Sequence, residues 1–308
     1  QDALDEVQPG DTIEIESGEY YQDIRTRVDG TADQRITITA AGGSSNRDNV
    51  IIRGGGDVRV FEINHDYYTV EGFTIDGETF DTVGDDDHER AFRDKLIYAT
   101  GTRIQEPTMR DGGYLSALDG LNIRDMTIKN AGGECVRLRY FVTFAEIYDN
   151  DVDKCGLYDF LYDAGGKNGE GIYIGTSNNQ WDDGKNPTDE PDVCMGNHVR
   201  DNNIQTEGNE GVEVKEGSID NLIEDNAIYM QLDADSGGIG SRGDRTIIRN
   251  NYIEDASGAG IRLGGAEVDG YQYGVDNEVY GNVMVDCRAY GVKIMVSPQG
   301  QICGNDIE

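Results

Sequence analysis

Acidic and cationic side chains recur at fixed places in a short repeated phrase of this sequence. The phrase is Gly-apolar-x-apolar-x, and its copies begin at Gly171, Gly211, Gly238, Gly260 and Gly291. Because side chains alternate along a β-strand, the two x positions of each copy point outward together. The outward positions then form two columns, Tyr173/Glu213/Gly240/Arg262/Lys293 and Gly175/Lys215/Arg242/Gly264/Met295.

One lysine and one arginine are neighbours in the second column. Neighbouring strands lie about 4.8 Å apart, so Lys215 and Arg242 are adjacent on one face. An arginine beside a lysine disfavours the ammonium form, and we therefore expect the pKa of Lys215 to fall toward the range of a general base. Glu213 lies two residues before Lys215, and Glu170 and Glu210 each precede a glycine of the phrase. These three carboxylates supply the oxygen ligands that Ca²⁺ prefers.

Together these groups predict a site for an anionic substrate. Ca²⁺ and an arginine would stabilise charge developing on a substrate carboxylate while Lys215 removes the adjacent proton. This is the equipment for β-elimination or epimerisation of a uronate sugar. Further candidate substrate-binding residues are Arg245, Arg262, Lys293, Tyr173 and, through stacking on a sugar, Trp181. Two plainer interpretations stay open: the charges pair across a solvated β-face for about 0.2–1 kcal/mol each, and Trp181 anchors a loop.

A second phrase, apolar-x-x-Asn-x-apolar, predicts the fold. Its asparagines are Asn150, Asn202, Asn226, Asn251, Asn282 and Asn305, with a degenerate copy at Met126. A period near 24 residues, with short alternating runs between glycines and asparagines, predicts strands and tight turns. Three short strands per turn stack into an all-β parallel β-helix with an asparagine column at one corner. We expect one domain over 1–308, with loop insertions near 80–118, 159–169, 177–196 and 265–276.

The charge balance limits the possible partners. Sixty Asp and Glu against 26 Lys and Arg give a formal net charge of −34. An acidic excess with few lysines is typical of proteins from salt-rich surroundings, where self-repulsion is screened, although an ordinary acidic secreted protein would also fit. Nucleic acid is excluded as an expected partner because its binding requires a basic face. No apolar stretch is long enough to span a bilayer, and the oligomeric state does not follow from the sequence.

Five cysteines leave their pairing open. Cys135, Cys155, Cys194, Cys287 and Cys303 show no Cys-x-x-Cys spacing, which argues against a zinc site. They could form one or two disulfides, or they could be small buried residues of the solenoid core.

Two N-terminal segments carry a family resemblance. Residues 3–20, which begin Ala-Leu-Asp-Glu-Val-Gln-Pro-Gly-Asp-Thr, and residues 30–40, Gly-Thr-Ala-Asp-Gln-Arg-Ile-Thr-Ile-Thr-Ala, resemble right-handed parallel β-helix polysaccharide lyases, most closely the chondroitinase B/alginate lyase family. The resemblance implies that Lys215 is the base, Arg242 the general acid or charge neutraliser, and Glu210 and Glu213 the metal ligands. The family spaces its acids and lysine differently, and its asparagine ligand has only Asn209 or Asn178 as candidates.

Two functions therefore stand as hypotheses. The first is a secreted, Ca²⁺-dependent polysaccharide lyase that acts on an acidic, uronate-containing polymer. The second is a non-catalytic carbohydrate-binding or cell-surface β-helix of the tailspike type. Histidine chemistry fits less well, because Asp85-Asp-Asp-His88 reads as a solvated acidic loop and His198 lies within an asparagine phrase, where a structural role is the simpler interpretation.

Overall fold

The computed structural model describes residues 1–56, 59–79, 91–101, 106–163 and 168–308. Within them the chain winds through three long sheets, and every strand pairing inside these sheets is parallel. We call them sheets A, B and C in the order in which each turn visits them. The predicted all-β parallel β-helix is confirmed. The His88 segment lies outside the described residues.

Sheets A and B each have ten strands. Sheet A contains Thr12–Ile15, Ile36–Ala40, Tyr68–Glu71, Asn122–Arg124, Glu146–Tyr148, His198–Arg200, Leu222–Glu224, Ile247–Arg249, Glu278–Tyr280 and Ile302–Cys303. Sheet B contains Gly18–Tyr20, Val50–Ile52, Thr74–Asp76, Thr127–Lys129, Asp151–Asp153, Asn203–Gln205, Ala227–Tyr229, Tyr252–Glu254, Val283–Val285 and Asp306–Ile307. Their centre residues are mostly buried Ile and Val, which stack in register into the core.

Sheet C has nine strands and carries the candidate site. They are Ile24–Arg25, Arg59–Ile63, Lys95–Thr100, Val136–Arg139, Ile172–Ile174, Val212–Val214, Gly237–Ser241, Ala259–Leu263 and Tyr290–Ile294. The long connections 177–196 and 265–276 each join a sheet C strand to the following sheet A strand. Both therefore lie beside the outer face of sheet C, at the edge that leads to sheet A. Asp244 fixes the 265–276 connection by accepting hydrogen bonds from the backbone N–H of Gly274 at 2.7 Å and from the Tyr271 hydroxyl at 2.8 Å.

The remaining elements are short. Three two-stranded pairs join Thr108–Met109 with Leu115–Ser116, Leu118–Asp119 with Val142–Thr143, and Glu267–Val268 with Tyr271–Gln272. The helices of the described residues are Asp2–Glu6 and Leu157–Phe160, with 3-10 turns at Gly43–Asn49 and Asn178–Gln180. No helix in the described parts of the chain has the length and apolarity needed to cross a membrane.

The corner between sheets A and B explains the asparagine phrase. The side-chain amide of Asn202 donates to Asn226 Oδ1 at 2.9 Å, and that of Asn226 donates to Asn251 Oδ1 at 3.0 Å. The residue before each asparagine has a left-handed backbone, with φ 55° at Asp201 and Asp225. Asp, Asn and Gly tolerate that conformation best, which is why they precede the asparagine in the sequence. The predicted asparagine column is confirmed.

One disulfide joins two consecutive turns. Cys135, just before a sheet C strand, is bonded to Cys155, which follows a sheet B strand. Cys194 is buried as a thiol, and Cys287 and Cys303 are also unpaired with other cysteines. The chain thus combines both roles that the sequence left open for its cysteines.

Candidate active site

The outer face of sheet C brings the predicted columns together. Strand pairing aligns Arg137 with Tyr173, Tyr173 with Glu213, and Glu213 with Gly240. The same row continues through Arg262 to Lys293. The predicted register of the first column is therefore confirmed, and the structure extends it by four strands, through Arg137, Tyr98 and Glu62 to Arg25.

Lys215, Glu213 and Arg242 form a compact charged group. Glu213 Oε1 lies 3.2 Å from Lys215 Nζ and 2.9 Å from Arg242 Nε. Glu213 is fully buried and Lys215 is 6% exposed, whereas the Arg242 side chain keeps 30% of its surface exposed. One buried carboxylate thus holds both cationic heads at one point, with Arg242 as the member that faces solvent.

The expected pKa of Lys215 is wrong in direction. Burial favours the neutral amine, but the nearby Glu213, Tyr173 and Glu170 outweigh burial and raise the pKa of Lys215 above its ordinary value. Arg242 opposes this only weakly. The sequence argument placed Arg242 beside Lys215 correctly, but it left out the carboxylate that lies between the two cations.

Two buried carboxylates flank Gly240. A Cβ atom at that position would lie 1.6 Å from Glu213 Oε2, so a side chain there would displace the Glu213 carboxylate, whereas its 3.5 Å contact with Glu210 Cγ would be an ordinary one. Burial and the charge of Glu213 raise the pKa of Glu210 to about 8. Glu210 accepts a short hydrogen bond from Ser236 on one oxygen. Within the described residues, Glu210 Oε2 and Glu213 Oε2 have no hydrogen-bond partner.

The third predicted metal ligand is used differently. Glu170 accepts the backbone N–H of Gly169 at 3.0 Å, and its other oxygen lies 3.7 Å from Lys215 Nζ. Across the described ranges, no three Asp, Glu, His or Cys side chains are placed to share one metal ion. The pair Glu210 and Glu213, with an unpartnered oxygen each, is the part of the predicted ligand set that fits an oxygen-seeking cation. Asn209 is buried directly before Glu210, whereas Asn178 lies in the 177–196 connection.

Tyr173 lies between two cations. The Arg137 guanidinium is 4.2 Å from the centre of the Tyr173 ring, and Lys215 Nζ is 4.7 Å from it. Its side chain is 4% exposed, and burial raises the pKa of its hydroxyl. Tyr173 is therefore a direct neighbour of Lys215 at the same level of the face.

Three further predicted site residues, and His198, lie outside this group. Arg262 is close enough to lower the pKa of Glu213, and Lys293 lies on the following strand. Arg245 is not brought to the group, because its guanidinium makes a two-pronged ion pair with Asp220 at 2.7 and 2.9 Å. His198 lies on sheet A and pairs with Glu224 at 2.8 Å, which agrees with the structural role expected for it.

The expectation that Trp181 stacks on a sugar is wrong. Its side chain is 5% exposed, its Nε1 donates to the Thr176 carbonyl at 2.9 Å, and its ring packs edge-on against Tyr273 at 5.5 Å. Because Tyr273 belongs to the 265–276 connection, Trp181 joins the two long connections beside sheet C. The alternative role, a loop anchor, is the one observed.

A cavity that the sequence did not predict adjoins the charged group of Lys215, Glu213 and Arg242. It has a volume of about 550 Å³ and lies against the first four strands of sheet C. Its walls include Arg59, Lys95, Tyr98 and Arg137. Arg137 connects it to the group above, because the same guanidinium stacks on Tyr173. The signal available was the run Val136-Arg-Leu-Arg139, which alternates like the repeated phrase but lacks its glycine.

Comparison with solved structures gives the same fold. An alginate lyase from Paenibacillus sp. str. FPU-7 matches with a TM-score of 0.76 and 20% identity over 100% of this chain and 91% of its own. Pectate lyase Pel9A matches at 0.59 and 11%, covering 97% and 73%. A DFA-IIIase from Arthrobacter chlorophenolicus A6 matches at 0.57 and 16%, covering 97% and 74%. No protein-family model matches, and no curated protein matches. At these identities the likeness shows the fold, which hosts more than one chemistry.

Proposed function

We propose that this protein is a polysaccharide lyase that cleaves a uronate-containing polymer by β-elimination. The observation that carries the proposal is the buried carboxylate of Glu213, which holds Lys215 and Arg242 together beside Tyr173. The likeness to an alginate lyase and a pectate lyase supports it by analogy of fold. We also propose that the protein acts outside the cell, where such polymers occur.

The first requirement of the reaction is to neutralise the substrate carboxylate. Removing the proton on the carbon next to a carboxylate leaves negative charge on that group, so a fixed cation lowers the barrier. Arg242 is suited to this because it is the exposed member of the group and its guanidinium can hold a carboxylate with two hydrogen bonds. Glu213 fixes the orientation of Arg242 through its Nε.

The second requirement is proton transfer at two places. The α-proton leaves to a base, the bond from the β-carbon to the glycosidic oxygen breaks, a carbon–carbon double bond forms, and the leaving oxygen takes up a proton. Both Lys215 and Tyr173 can gain or lose a proton, whereas a guanidinium effectively never deprotonates. Tyr173, between the charges of Arg137 and Lys215, takes the α-proton in its phenolate form. Lys215, which Glu213 keeps as the ammonium, gives a proton to the leaving oxygen. We therefore assign proton transfer to Lys215 and Tyr173, and charge neutralisation alone to Arg242.

A divalent cation is a separate part of the proposal. Glu210 and Glu213 would hold it through their unpartnered oxygens. When bound, Ca²⁺ would supply additional positive charge for the substrate carboxylate. A chelator tests this part independently of the lysine.

The decisive experiment measures unsaturated product from a panel of alginate, pectate and glycosaminoglycans by its ultraviolet absorbance. Lys215→Ala should lower turnover by about 10²–10⁴-fold, the usual contribution of a general acid or base. Lys129→Ala is the control, because Lys129 is a partly exposed lysine of sheet B whose ion partner is Asp76 at 3.6 Å. Each protein is assayed with EDTA and again after Ca²⁺ is restored.

Three results would contradict the proposal in different ways. Undiminished activity of Lys215→Ala would contradict the catalytic role assigned to Lys215. Undiminished wild-type activity in EDTA would contradict the proposed divalent cation and leave the lyase proposal intact. Wild-type protein that binds a polymer but never produces an unsaturated end would favour the non-catalytic carbohydrate-binding β-helix instead.

A further inference from the structure

The cavity between the first four strands of sheet C is lined mainly by cations. Of the eleven described residues that line it, six are Arg or Lys, namely Arg25, Arg59, Lys95, Arg137, Arg139 and Lys185. Asp94 and Glu134 are the acidic residues among the described part of the lining. These six cations pair with four carboxylates, which belong to Glu62, Asp94, Glu134 and Asp183. The described wall therefore keeps an excess of positive charge, which in a chain with a net charge of −34 favours an anionic ligand.

The lining cations are held in place by aromatic and carboxylate partners. Arg59 lies 3.7 Å over the ring of Tyr98 and pairs with buried Glu62 at 2.9 Å. Lys95 pairs with Glu134 at 2.8 Å, and Arg137 pairs with the same carboxylate at 2.6 Å. An arginine fixed by stacking and by a buried carboxylate loses little entropy when it binds a further group.

One of these cations retains an unused donor. Arg137 is 5% exposed, yet its Nε has no hydrogen-bond partner in the described part of the chain. A buried donor without a partner costs free energy, so this part of the cavity wall is less well satisfied than the ion-paired cations around it.

The cavity and the proposed active site share one sheet. In its strand order, Lys95–Thr100 is three strands from Val212–Val214, and Arg59–Ile63 is four. At about 4.8 Å per step, these separations are about 14 and 19 Å along the face. Arg137, which lines the cavity and stacks on Tyr173, makes the path continuous.

We propose that this cavity is a second carboxylate-binding site, which holds an uncleaved uronate of the same polymer chain whose scissile bond lies at Lys215. The inference rests on the proposed lyase function and adds a dependence on substrate length to it. Oligomers that span both places gain the interaction, whereas shorter ones reach only the catalytic group. Arg59 is the most informative residue, because it lies at the far side from Lys215.

The test compares Arg59→Gln with Arg200→Gln across uronate oligomers from the disaccharide to the octasaccharide. The two arginines are closely matched: their side chains are 27% and 28% exposed, and they lie 3.7 and 4.0 Å over Tyr98 and Tyr148. Arg200 is on sheet A, away from the cavity. Loss of one charge-assisted contact should lower kcat/KM for the octasaccharide relative to the trisaccharide about tenfold in Arg59→Gln. Arg200→Gln should keep the wild-type ratio.

The outcomes separate the second site from the proposed function. If wild-type protein cleaves polyuronates but Arg59→Gln keeps the wild-type length ratio, the second site is wrong and the lyase stands. If no polyuronate is cleaved, the lyase is wrong, and equilibrium binding of the same oligomers by wild-type and Arg59→Gln protein tests the cavity. Thermal stabilisation by inorganic phosphate that is lost in Arg59→Gln, with an unchanged length ratio, would instead indicate a free-anion site.

Discussion

The charge state of Lys215 depends on a carboxylate that the sequence argument had given to a metal. Glu213 Oε1 contacts both Lys215 and Arg242, so it neutralises the repulsion that was expected to favour the free amine. An interaction between two like charges can be inferred from adjacent columns, but its sign in the protein depends on what lies between them. At the residue scale, the ion pairs of Glu213 with Lys215 and Arg242 therefore determine the direction of the Lys215 pKa shift.

Tyr173 allows the proton-transfer assignment to be tested separately from substrate binding. Tyr173→Phe keeps the ring between Arg137 and Lys215 and removes only the hydroxyl. If this hydroxyl transfers a proton, kcat should fall by about 10²–10⁴-fold while KM changes little. Steady-state kinetics on the preferred polyuronate measure both parameters.

Tyr148→Phe is the matched control for this change. Tyr148 also lies beneath an arginine, at 4.0 Å from Arg200, but it is on sheet A. It should retain wild-type kcat. A Tyr173→Phe enzyme with normal kcat and a raised KM would restrict Tyr173 to substrate binding, the role first expected for it.

At the element scale, the column of stacked asparagines links each turn of the β-helix to the next. The side-chain amide of Asn226 donates to Asn251 Oδ1 and to the Val199 carbonyl, and its Oδ1 accepts from Asn202. Asn226 is 1% exposed, so its removal leaves buried backbone and side-chain groups without partners.

Asn226→Ala should therefore destabilise the protein by about 2–4 kcal/mol, since each lost buried partner costs about 1–3 kcal/mol. Denaturant unfolding followed by circular dichroism measures the change. Asn203→Ala is the control, because Asn203 is an exposed asparagine whose side chain contacts Asp151 at 3.3 Å, and it should stay within about 0.5 kcal/mol of wild type. Equal losses for the two variants would show that the asparagine column adds nothing beyond ordinary surface contacts.

Repetition explains which elements could be predicted. The asparagine and glycine phrases recur because every turn imposes the same backbone on them, and this is why the sheet C register from Tyr173 to Lys293 was predictable. The 177–196 and 265–276 connections have no repeat to compare, so the contact between Trp181 and Tyr273 could not be found. The cavity was missed because its strands, such as Arg59–Ile63, lack the glycine that marked the others.

At the scale of the whole molecule, the few cations are concentrated on one sheet. Nine of the 26 Lys and Arg residues lie on, or directly after, sheet C strands: Arg25, Arg59, Lys95, Arg137, Arg139, Lys215, Arg242, Arg262 and Lys293. Acidic residues predominate in the chain as a whole. Salt should therefore act on stability and on substrate binding in opposite directions.

For stability, the net charge of −34 repels itself, and the Debye length falls from about 10 Å at 0.1 M salt to about 3 Å at 1 M. The Tm should rise from millimolar to molar KCl, by about 2–4 °C for each kcal/mol of repulsion relieved in domains of 150–250 residues. Calorimetry in EDTA separates this effect from bound Ca²⁺, and KCl avoids the general stabilisation that sulfate produces. For binding, the same screening should weaken attraction between sheet C and a polyanion, so kcat/KM should fall as Tm rises. A Tm that stays flat over this range would contradict the salt-adapted interpretation of the acidic surface. A kcat/KM insensitive to salt would contradict the electrostatic role given to the sheet C cations.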